Sequence, residues 1–229
     1  AITDISGSNI VFGYHNKLTN SCYTLMMGAD NTVDNTTGKT TTDAVGVRNQ
    51  NNILGTSNKL FNSENSFVQG YGNKVYGNMN TVFGNTNTLG NGGTTNSTYK
   101  YFAQKSFVQG YNNQIISTYE QPVQNAFIAG KNNKLDMSFN AFTKNTNTSY
   151  TLLGTYAGIS GEVGDTSNVR FAFGTYEKFL HNGAETDKEH GNVLTIDHDG
   201  HTRIYGSLTV DGSFVKLDVF FIHVIIYST

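Results

Sequence analysis

The densest group of side chains that could carry out chemistry lies in one short stretch, where Asp197, His198, Asp199 and His201 surround Gly200. Imidazole and carboxylate groups bind a metal ion when three or four of them reach one centre. The Asp199-Gly200 pair lies between two short apolar runs, which is typical of a β-hairpin turn. We therefore interpret the cluster as the polar tip of a hairpin and expect no metal. The alternative is a metal site formed by three copies of the turn that meet on a trimer axis.

Patterns that indicate catalysis are missing from the sequence. The chain contains no Gly-x-Ser-x-Gly, P-loop or His-Glu-x-x-His motif. Enzymes that cleave glycans use paired carboxylates, and here Glu64 and Glu120 are the acids with a chance of meeting in space. Surface solubility explains both more simply. We predict a non-enzymatic protein with no catalytic residues and no cofactor.

Tyrosines in matching positions are better candidates for binding. Tyr71 and Tyr111, like Tyr14, directly follow the glycine of a repeated motif. An exposed tyrosine suits carbohydrate contact because its ring is flat and amphipathic and loses little conformational entropy on binding. The alternative is that these tyrosines pack against another subunit or between repeats. Loops on a rigid scaffold often carry recognition, so we also select the loops at 34–43, 91–102 and 117–124. The best receptor-binding candidates among them are Tyr99, Lys100, Tyr101 and Phe102.

The elements that would position these side chains come from a repeat. Gly-x-x-Asn-x-aliphatic occurs seven times, beginning at Gly13, Gly28, Gly55, Gly70, Gly84, Gly110 and Gly130. The spacing is 14 or 15 residues, or 20, 26 and 27 where a loop or a degenerate copy such as Gly46-Val-Arg-Asn49 intervenes. A unit this short holds two strands and two tight corners, which predicts an all-β fold: a parallel β-solenoid or β-roll with 14–15-residue coils.

Each position of the repeat has an expected role. The glycine suits a corner with positive φ or close backbone approach, and the asparagine suits a left-handed corner whose amides stack into ladders. Aliphatic residues two before and five after the glycine should form two inward columns. The columns are Val11, Met26, Ile53, Val68, Val82, Val108 and Ile128, and Leu18, Val33, Leu60, Val75, Leu89, Ile115 and Leu135.

Composition narrows the function classes. The 15 basic and 17 acidic residues balance, which argues against a nucleic-acid partner. Only 14% of the residues are charged, only 37% are hydrophobic, and 29 are asparagine, so helices are disfavoured. A coil with so few apolar residues gains burial by assembly, which favours a homotrimer. The C-terminal apolar run at 214–227 is interrupted by charges and too short for membrane insertion.

The repeat resembles a known family. Asn65-Ser-Phe-Val-Gln-Gly70 and Asn125-Ala-Phe-Ile-Ala-Gly130 are similar to the Asn-Ser-Val-Ala-Ile-Gly unit of YadA-like adhesin heads. The resemblance covers about residues 5 to 136. It implies a trimeric left-handed β-roll of the kind found in bacterial autotransporter adhesins, with related repeats in phage tail fibres. Here asparagine replaces the serine that the family usually has three residues after the glycine.

The sequence predicts three regions. Residues 1–139 form the repeat solenoid, 140–212 a small β-rich fibre module with the Asp-Gly hairpin, and 213–229 an apolar terminal strand. The stretch 191–212 resembles a segment near the C-terminal ends of phage fibres and spikes. Apolar and polar residues alternate at the start of the terminal strand, and both of its faces then become apolar. In a folded protein such a strand must be buried against other chains or elements. We expect it to lock the trimer through Phe214, Val219, Phe221 and Ile225; a docking strand for another virion protein is the alternative.

Together these features predict a structural protein of a phage tail fibre or spike that presents a host receptor-binding surface. Its expected partners are two further copies of itself, other tail or baseplate proteins of the virion, and a cell-surface glycan or protein. One alternative is the head fragment of a bacterial trimeric autotransporter adhesin on the cell surface. A second is a polysaccharide depolymerase spike, and an ice-binding solenoid is disfavoured because the threonines hold no common phase.

Overall fold

The structure is a computed structural model. It describes residues 2–3, 8–19, 21–35, 50–90, 103–117, 123–137, 149–160, 169–179 and 190–205. Within these ranges the chain is all-β, without a helix, and most strands run parallel. This confirms the predicted fold class at the level of strand content and strand direction.

Two sheets account for nearly all described strands. The larger sheet contains, in spatial order, β2 (Ile10–Tyr14), β4 (Leu25–Ala29), β6 (Asn52–Thr56), β8 (Phe67–Tyr71), β10 (Thr81–Asn85), β13 (Phe107–Tyr111), β16 (Ala126–Lys131), β18 (Tyr150–Thr155), β20 (Val169–Phe179), β21 (His190–Asp197) and β22 (Thr202–Ile204). The smaller sheet contains β1 (Ile2–Thr3), β3 (Lys17–Thr19), β5 (Thr32–Asp34), β7 (Lys59–Phe61), β9 (Lys74–Tyr76), β11 (Thr88–Leu89), β14 (Gln114–Ile116), β17 (Lys134–Asp136) and β19 (Gly158–Ser160). A further pair joins β12 (Ala103–Gln104) to β15 (Val123–Gln124).

The repeat sets the register of both sheets. Each motif glycine pairs with the glycine of the next strand, so Gly70 lies between Gly55 and Gly84 in the larger sheet. Gly28 pairs directly with Gly55, and Gly84 pairs directly with Gly110. The gaps of 27 and 26 residues are therefore single steps of the stack with extra residues inserted, which decides between the two alternatives that the spacing left open.

The two predicted columns form the core. All fourteen residues except Val11 are fully buried, and Val11 packs against the cluster from the edge strand β2. Burial follows from the strand geometry, because alternate side chains of the parallel strands in each sheet point into the space between the two sheets. The predicted inward phase is confirmed.

The glycine corner explains the first half of the motif. At Gly70 φ is +131°, and a Cβ atom there would overlap the carbonyl oxygen of Gly84 in the next strand. Only glycine fits both the conformation and the close approach. The left-handed residue of the corner is the one two after the glycine, such as Ser57 with φ 58° or Asn112 with φ 53°. The expectation that the motif asparagine itself is left-handed is wrong by one position.

The motif asparagines form the predicted ladder instead. Asn73 donates from Nδ2 to Oδ1 of Asn58 at 2.9 Å, and Asn87 donates in the same way to Asn73 at 3.0 Å. Each Nδ2 also donates to the carbonyl oxygen of the next glycine, as Asn73 does to Gly84 at 2.7 Å. These amides are buried, and every bond satisfies a polar group that would otherwise be costly in the core. Serine has no Nδ2 and could not make both bonds at this position.

All inserted residues leave the stack at one corner. Two residues separate each larger-sheet strand from the following smaller-sheet strand at all eight steps from β2–β3 to β18–β19. The other corner, from a smaller-sheet strand to the next larger-sheet strand, varies from four residues between β9 and β10 to seventeen between β5 and β6. The ladder and the glycine approach fix the length of the first corner. The second corner also has side-chain hydrogen bonds between neighbouring coils, such as the one from Nδ2 of Asn80 to the carbonyl of Ala103 at 2.8 Å, yet its length varies.

The parallel stack continues beyond residue 139, where the sequence analysis ended the repeat. Strand β18 pairs with β16 in glycine register, and β20 pairs with β18. Ala157 takes the place of the motif asparagine, so the motif ends while the stacking does not. The division into regions at 139 and 212 stays a prediction.

Antiparallel strands end the stack. Strand β21 runs antiparallel to β20, and β22 runs antiparallel to β21 across the Asp199-Gly200 turn. The predicted hairpin and the predicted strand at 170–176 are both present. Asn192 joins this end to the smaller sheet, since it accepts from the backbone N of Gly158 at 2.8 Å and donates to the carbonyl of Gly158 at 2.7 Å.

Candidate functional site

The tyrosines selected from the sequence lie on the outer face of the larger sheet. Tyr71 is 55% exposed and Tyr111 is 48% exposed, at the end of β8 and β13. Asn85 lies between them, because β10 pairs with both strands. The two rings are therefore not in contact, and Tyr111 instead lies 5.6 Å from Nζ of Lys131 in a cation–π geometry.

An aromatic row on the same face was not predicted. Phe67, Phe83, Phe107 and Phe127 follow one another across four strands, with ring centroids 5.4, 5.9 and 5.2 Å apart. The signal was present in the sequence, since these residues stand three or one before a motif glycine and so share the outward phase of the strand. Among the outward positions of the eight parallel larger-sheet strands that precede β20, Lys131 is the one charged residue.

The outer face of the smaller sheet has a different chemistry. Lys59 and Lys74 pair in register on β7 and β9, and both are exposed. Two positions further along the same strands, Phe61 and Tyr76 stack with centroids 4.7 Å apart and planes 11° from parallel. Burial raises the pKa of the Tyr76 phenol, so it carries no charge near neutral pH. Sequence reasoning missed this group because its residues belong to no motif of their own.

The Asp-His cluster forms the exposed hairpin tip. Asp197 accepts from the backbone N of Asp199 at 3.0 Å and of His201 at 2.8 Å, and its Oδ2 lies 3.0 Å from Nδ1 of His201. Desolvation acts to raise the pKa of the Asp197 carboxyl, but the hydrogen bonds and charge of His201 outweigh it and lower the pKa. Ligand atoms of Asp197, Asp199 and His201 lie within 4.8 Å of one another. Both Asp197 oxygens already hold the turn together, in keeping with the interpretation as a polar hairpin tip.

Several predicted residues lie outside the described residues. This holds for the receptor-binding candidates Tyr99, Lys100, Tyr101 and Phe102, for the trimer-lock candidates Phe214, Val219, Phe221 and Ile225, for Glu120, and for the degenerate motif at 46–49. Their assignments stay predictions. The structure does show where the segment 91–102 departs, directly after β11 at the variable corner.

Comparison with known proteins gives no relative. No protein-family model matches the chain, and no similar curated protein or solved structure is found. None of the described residues forms an apolar helix of membrane-spanning length. The function is therefore argued from the geometry of the chain alone.

Proposed function

We propose that the chain is a non-enzymatic structural protein of a phage tail fibre or spike, built as a homotrimer of β-solenoids with 14–15-residue coils. The observation that carries the proposal is the one-sided placement of the insertions. A stack held rigid by its glycine corner and asparagine ladder releases every long segment at the opposite corner. A rigid scaffold with variable loops along one edge is the usual arrangement of a binding surface.

The outer face of the larger sheet supports self-assembly. It combines the phenylalanine row with exposed Phe12, Met27 and Phe173, and an apolar face of this kind is typical of a contact surface. Eight strands about 4.8 Å apart and five residues of about 3.3 Å give a face of roughly 600 Å², before side-chain relief. A standard interface buries about 800 Å² on each partner. The flat area of the face is therefore below that of a standard interface, and side-chain relief with adjoining surfaces must supply the rest of the contact.

Recognition and attachment complete the proposal. The receptor-binding surface comprises the loops at the variable corner, with residues 99–102 as its centre. Tyr71 and Tyr111 share the outer face of the larger sheet with the phenylalanine row, so packing against a neighbouring subunit is the alternative to a role in receptor binding. Its ligand is a glycan or protein on the host cell. The terminal strand at 213–229 locks the trimer, and the protein resides in the virion tail next to other tail or baseplate proteins.

Solution mass and cell adsorption test the proposal. A homotrimer should give a mass of about three times 25.0 kDa by light scattering, and a folded monomer would contradict the proposal. The double variant Phe83→Glu with Phe107→Glu, on β10 and β13, should shift the protein towards monomer. The control Gln69→Glu with Gln109→Glu adds the same charge to β8 and β13 and should shift it less. Deletion of residues 214–229 should loosen the trimer to detergent.

Adsorption is measured with fluorescently labelled protein on a panel of bacterial cells. Replacing 91–102 by a short Gly-Ser link should preserve the circular dichroism spectrum and abolish cell binding. Unchanged adsorption would reject the loop assignment, and adsorption to none of the cells would reject the receptor-binding function.

A further inference from the structure

The outer face of the smaller sheet carries a row of like charges. Its outward position four residues after each motif glycine is occupied, in spatial order, by Lys17, Thr32, Lys59, Lys74, Thr88, Gln114 and Lys134. Strand neighbours lie about 4.8 Å apart, so Lys59 and Lys74 are side by side and Lys17 follows at about twice that distance. Like charges directly opposite one another destabilise a sheet. Binding of an anion relieves the repulsion between these lysines.

These lysines lack carboxylate partners within the described part of the chain, apart from one. Lys134 forms an ion pair with Asp136 at 2.9 Å, whereas no ion pair involves Lys17, Lys59 or Lys74. The nearest acid in the neighbouring row is Asp34, which pairs in register with Phe61 and already interacts elsewhere. The positive charge at the centre of the face is therefore available to a ligand.

An aromatic platform adjoins the two central lysines. The stacked rings of Phe61 and Tyr76 share the outward face with Lys59 and Lys74. Strand β11 pairs with β9 at Lys74 and Val75 and ends at Leu89, so no described strand residue pairs with Tyr76 on that side. Stacked aromatic rings beside cations provide apolar contact for the face of a sugar and charge for its acidic groups.

We propose that this face binds an acidic polysaccharide, a chain of sugars bearing carboxylates, which lies along the stacking direction. Lys59 and Lys74 contact successive carboxylates, Phe61 and Tyr76 contact the sugar ring between them, and Lys17 extends the site. The inference rests on the proposed receptor-binding function and names the ligand class. It also fits the assembly, since the larger sheet's apolar face is used between subunits and the smaller sheet's face stays outside.

Charge complementarity selects this ligand over other polymers. A nucleic acid requires a broad basic surface, and here Asp34 and Asp136 flank the lysines in the adjacent row. A neutral glycan would leave the repulsion between Lys59 and Lys74 unchanged. A carboxylated chain one sugar wide neutralises the row without reaching the flanking acids.

The test is calorimetric titration of the full chain with a galacturonate hexamer, with maltohexaose as the neutral probe. The hexamer should bind, and the neutral probe should not. Lys59→Gln with Lys74→Gln should weaken hexamer binding at least about tenfold, and raising the salt to about 0.3 M should weaken the parent's binding because exposed charges are screened. The matched control is Lys131→Gln, an exposed lysine on the larger sheet, which should leave binding within about twofold.

Each other outcome counts against the proposal. Failure of the parent to bind the hexamer, equal binding of maltohexaose, or equal weakening in Lys131→Gln would overturn it. The same variants in the cell-adsorption assay separate it from the proposed function. Adsorption that persists in the parent while the hexamer does not bind rejects the ligand class and leaves receptor binding intact, whereas hexamer binding without adsorption to any cell rejects the receptor function.

Discussion

Asn73→Asp exchanges one buried amide of the ladder for a carboxyl group of the same shape. The Asn73 side chain is fully buried, and its Nδ2 donates to Oδ1 of Asn58 at 2.9 Å and to the carbonyl of Gly84 at 2.7 Å. Its Oδ1 accepts from the backbone N and Nδ2 of Asn87, both at 3.0 Å. The exchange keeps the accepting oxygen and replaces the donor by a second oxygen that faces two other oxygens.

The size of the effect follows from the bonds lost. The neutral carboxyl keeps one O–H donor in place of the two N–H donors, so one buried hydrogen bond disappears and the variant is destabilised by about 1–3 kcal/mol. The ionised carboxylate loses both bonds, which costs about 2–6 kcal/mol. Ionisation adds a further cost because the charge is desolvated. Desolvation raises the pKa of the new carboxyl in the folded state above its unfolded value of about 3.9. The stability difference from the parent therefore widens as the pH rises from about 4 towards that raised pKa, and it narrows at acid pH.

Urea denaturation followed by far-ultraviolet circular dichroism at pH 4 and pH 7 measures the effect. The control is Asn65→Asp, which makes the same exchange at an exposed position between β7 and β8 and should change stability by no more than about 0.5 kcal/mol. If Asn73→Asp destabilises no more than Asn65→Asp at pH 7, the buried ladder is not a determinant of the fold and the reasoning fails.

Three further predictions follow from the same scaffold. Val108→Asp places an unpaired charge in the fully buried column and should abolish folding, so a soluble variant with the parent's melting temperature would refute the inward phase. Gly70→Ala should prevent stacking because of its φ of +131° and the backbone overlap with the next strand, whereas Gly72→Asn, at φ +66° with its nearest contact 3.6 Å away, should cost under about 1 kcal/mol. His201→Ala should raise the pKa of the Asp197 carboxyl, because it removes the side-chain hydrogen bond and the charge that lower that pKa. The carboxyl chemical shift followed across a pH titration measures this pKa, and an unchanged value would contradict the prediction.

The core was predictable from the sequence because two constraints repeat in phase. Burial requires an aliphatic residue at every second position of a strand, and the stack requires it at the same place in every coil. The seven motif copies therefore predicted both columns, and Leu18 to Leu135 are buried in register. The same periodicity predicted the amide ladder, since only a side chain repeated at the strand spacing can hydrogen-bond to its own copies.

Other features depend on contacts that one repeat does not contain. The left-handed corner residue varies among His, Asp, Ser, Gly, Thr, Asn and Tyr, so no residue type indicated it. Its conformation is imposed by the glycine before it and the ladder after it. The continuation past residue 139 was missed because Ala157 stands where the motif has asparagine. Near this end of the stack, Asn192 on another strand hydrogen-bonds to the backbone of Gly158. The lysine and aromatic face was missed because its members meet only across strands.

The contrast between the two corners links the fold to its use. The glycine corner is constrained three times over, by a positive φ, by backbone contact between neighbouring glycines, and by two amide hydrogen bonds per coil. An inserted residue there would break all three at once in two adjacent coils. The opposite corner also has side-chain hydrogen bonds between neighbouring coils, such as those of Asn51 and Asn80, but its length varies from coil to coil, and long loops add little closure cost. The insertions of this chain therefore lie on one edge while the register of the stack is preserved. A rigid stack with variable loops along one edge is the arrangement that the proposed receptor-binding function requires.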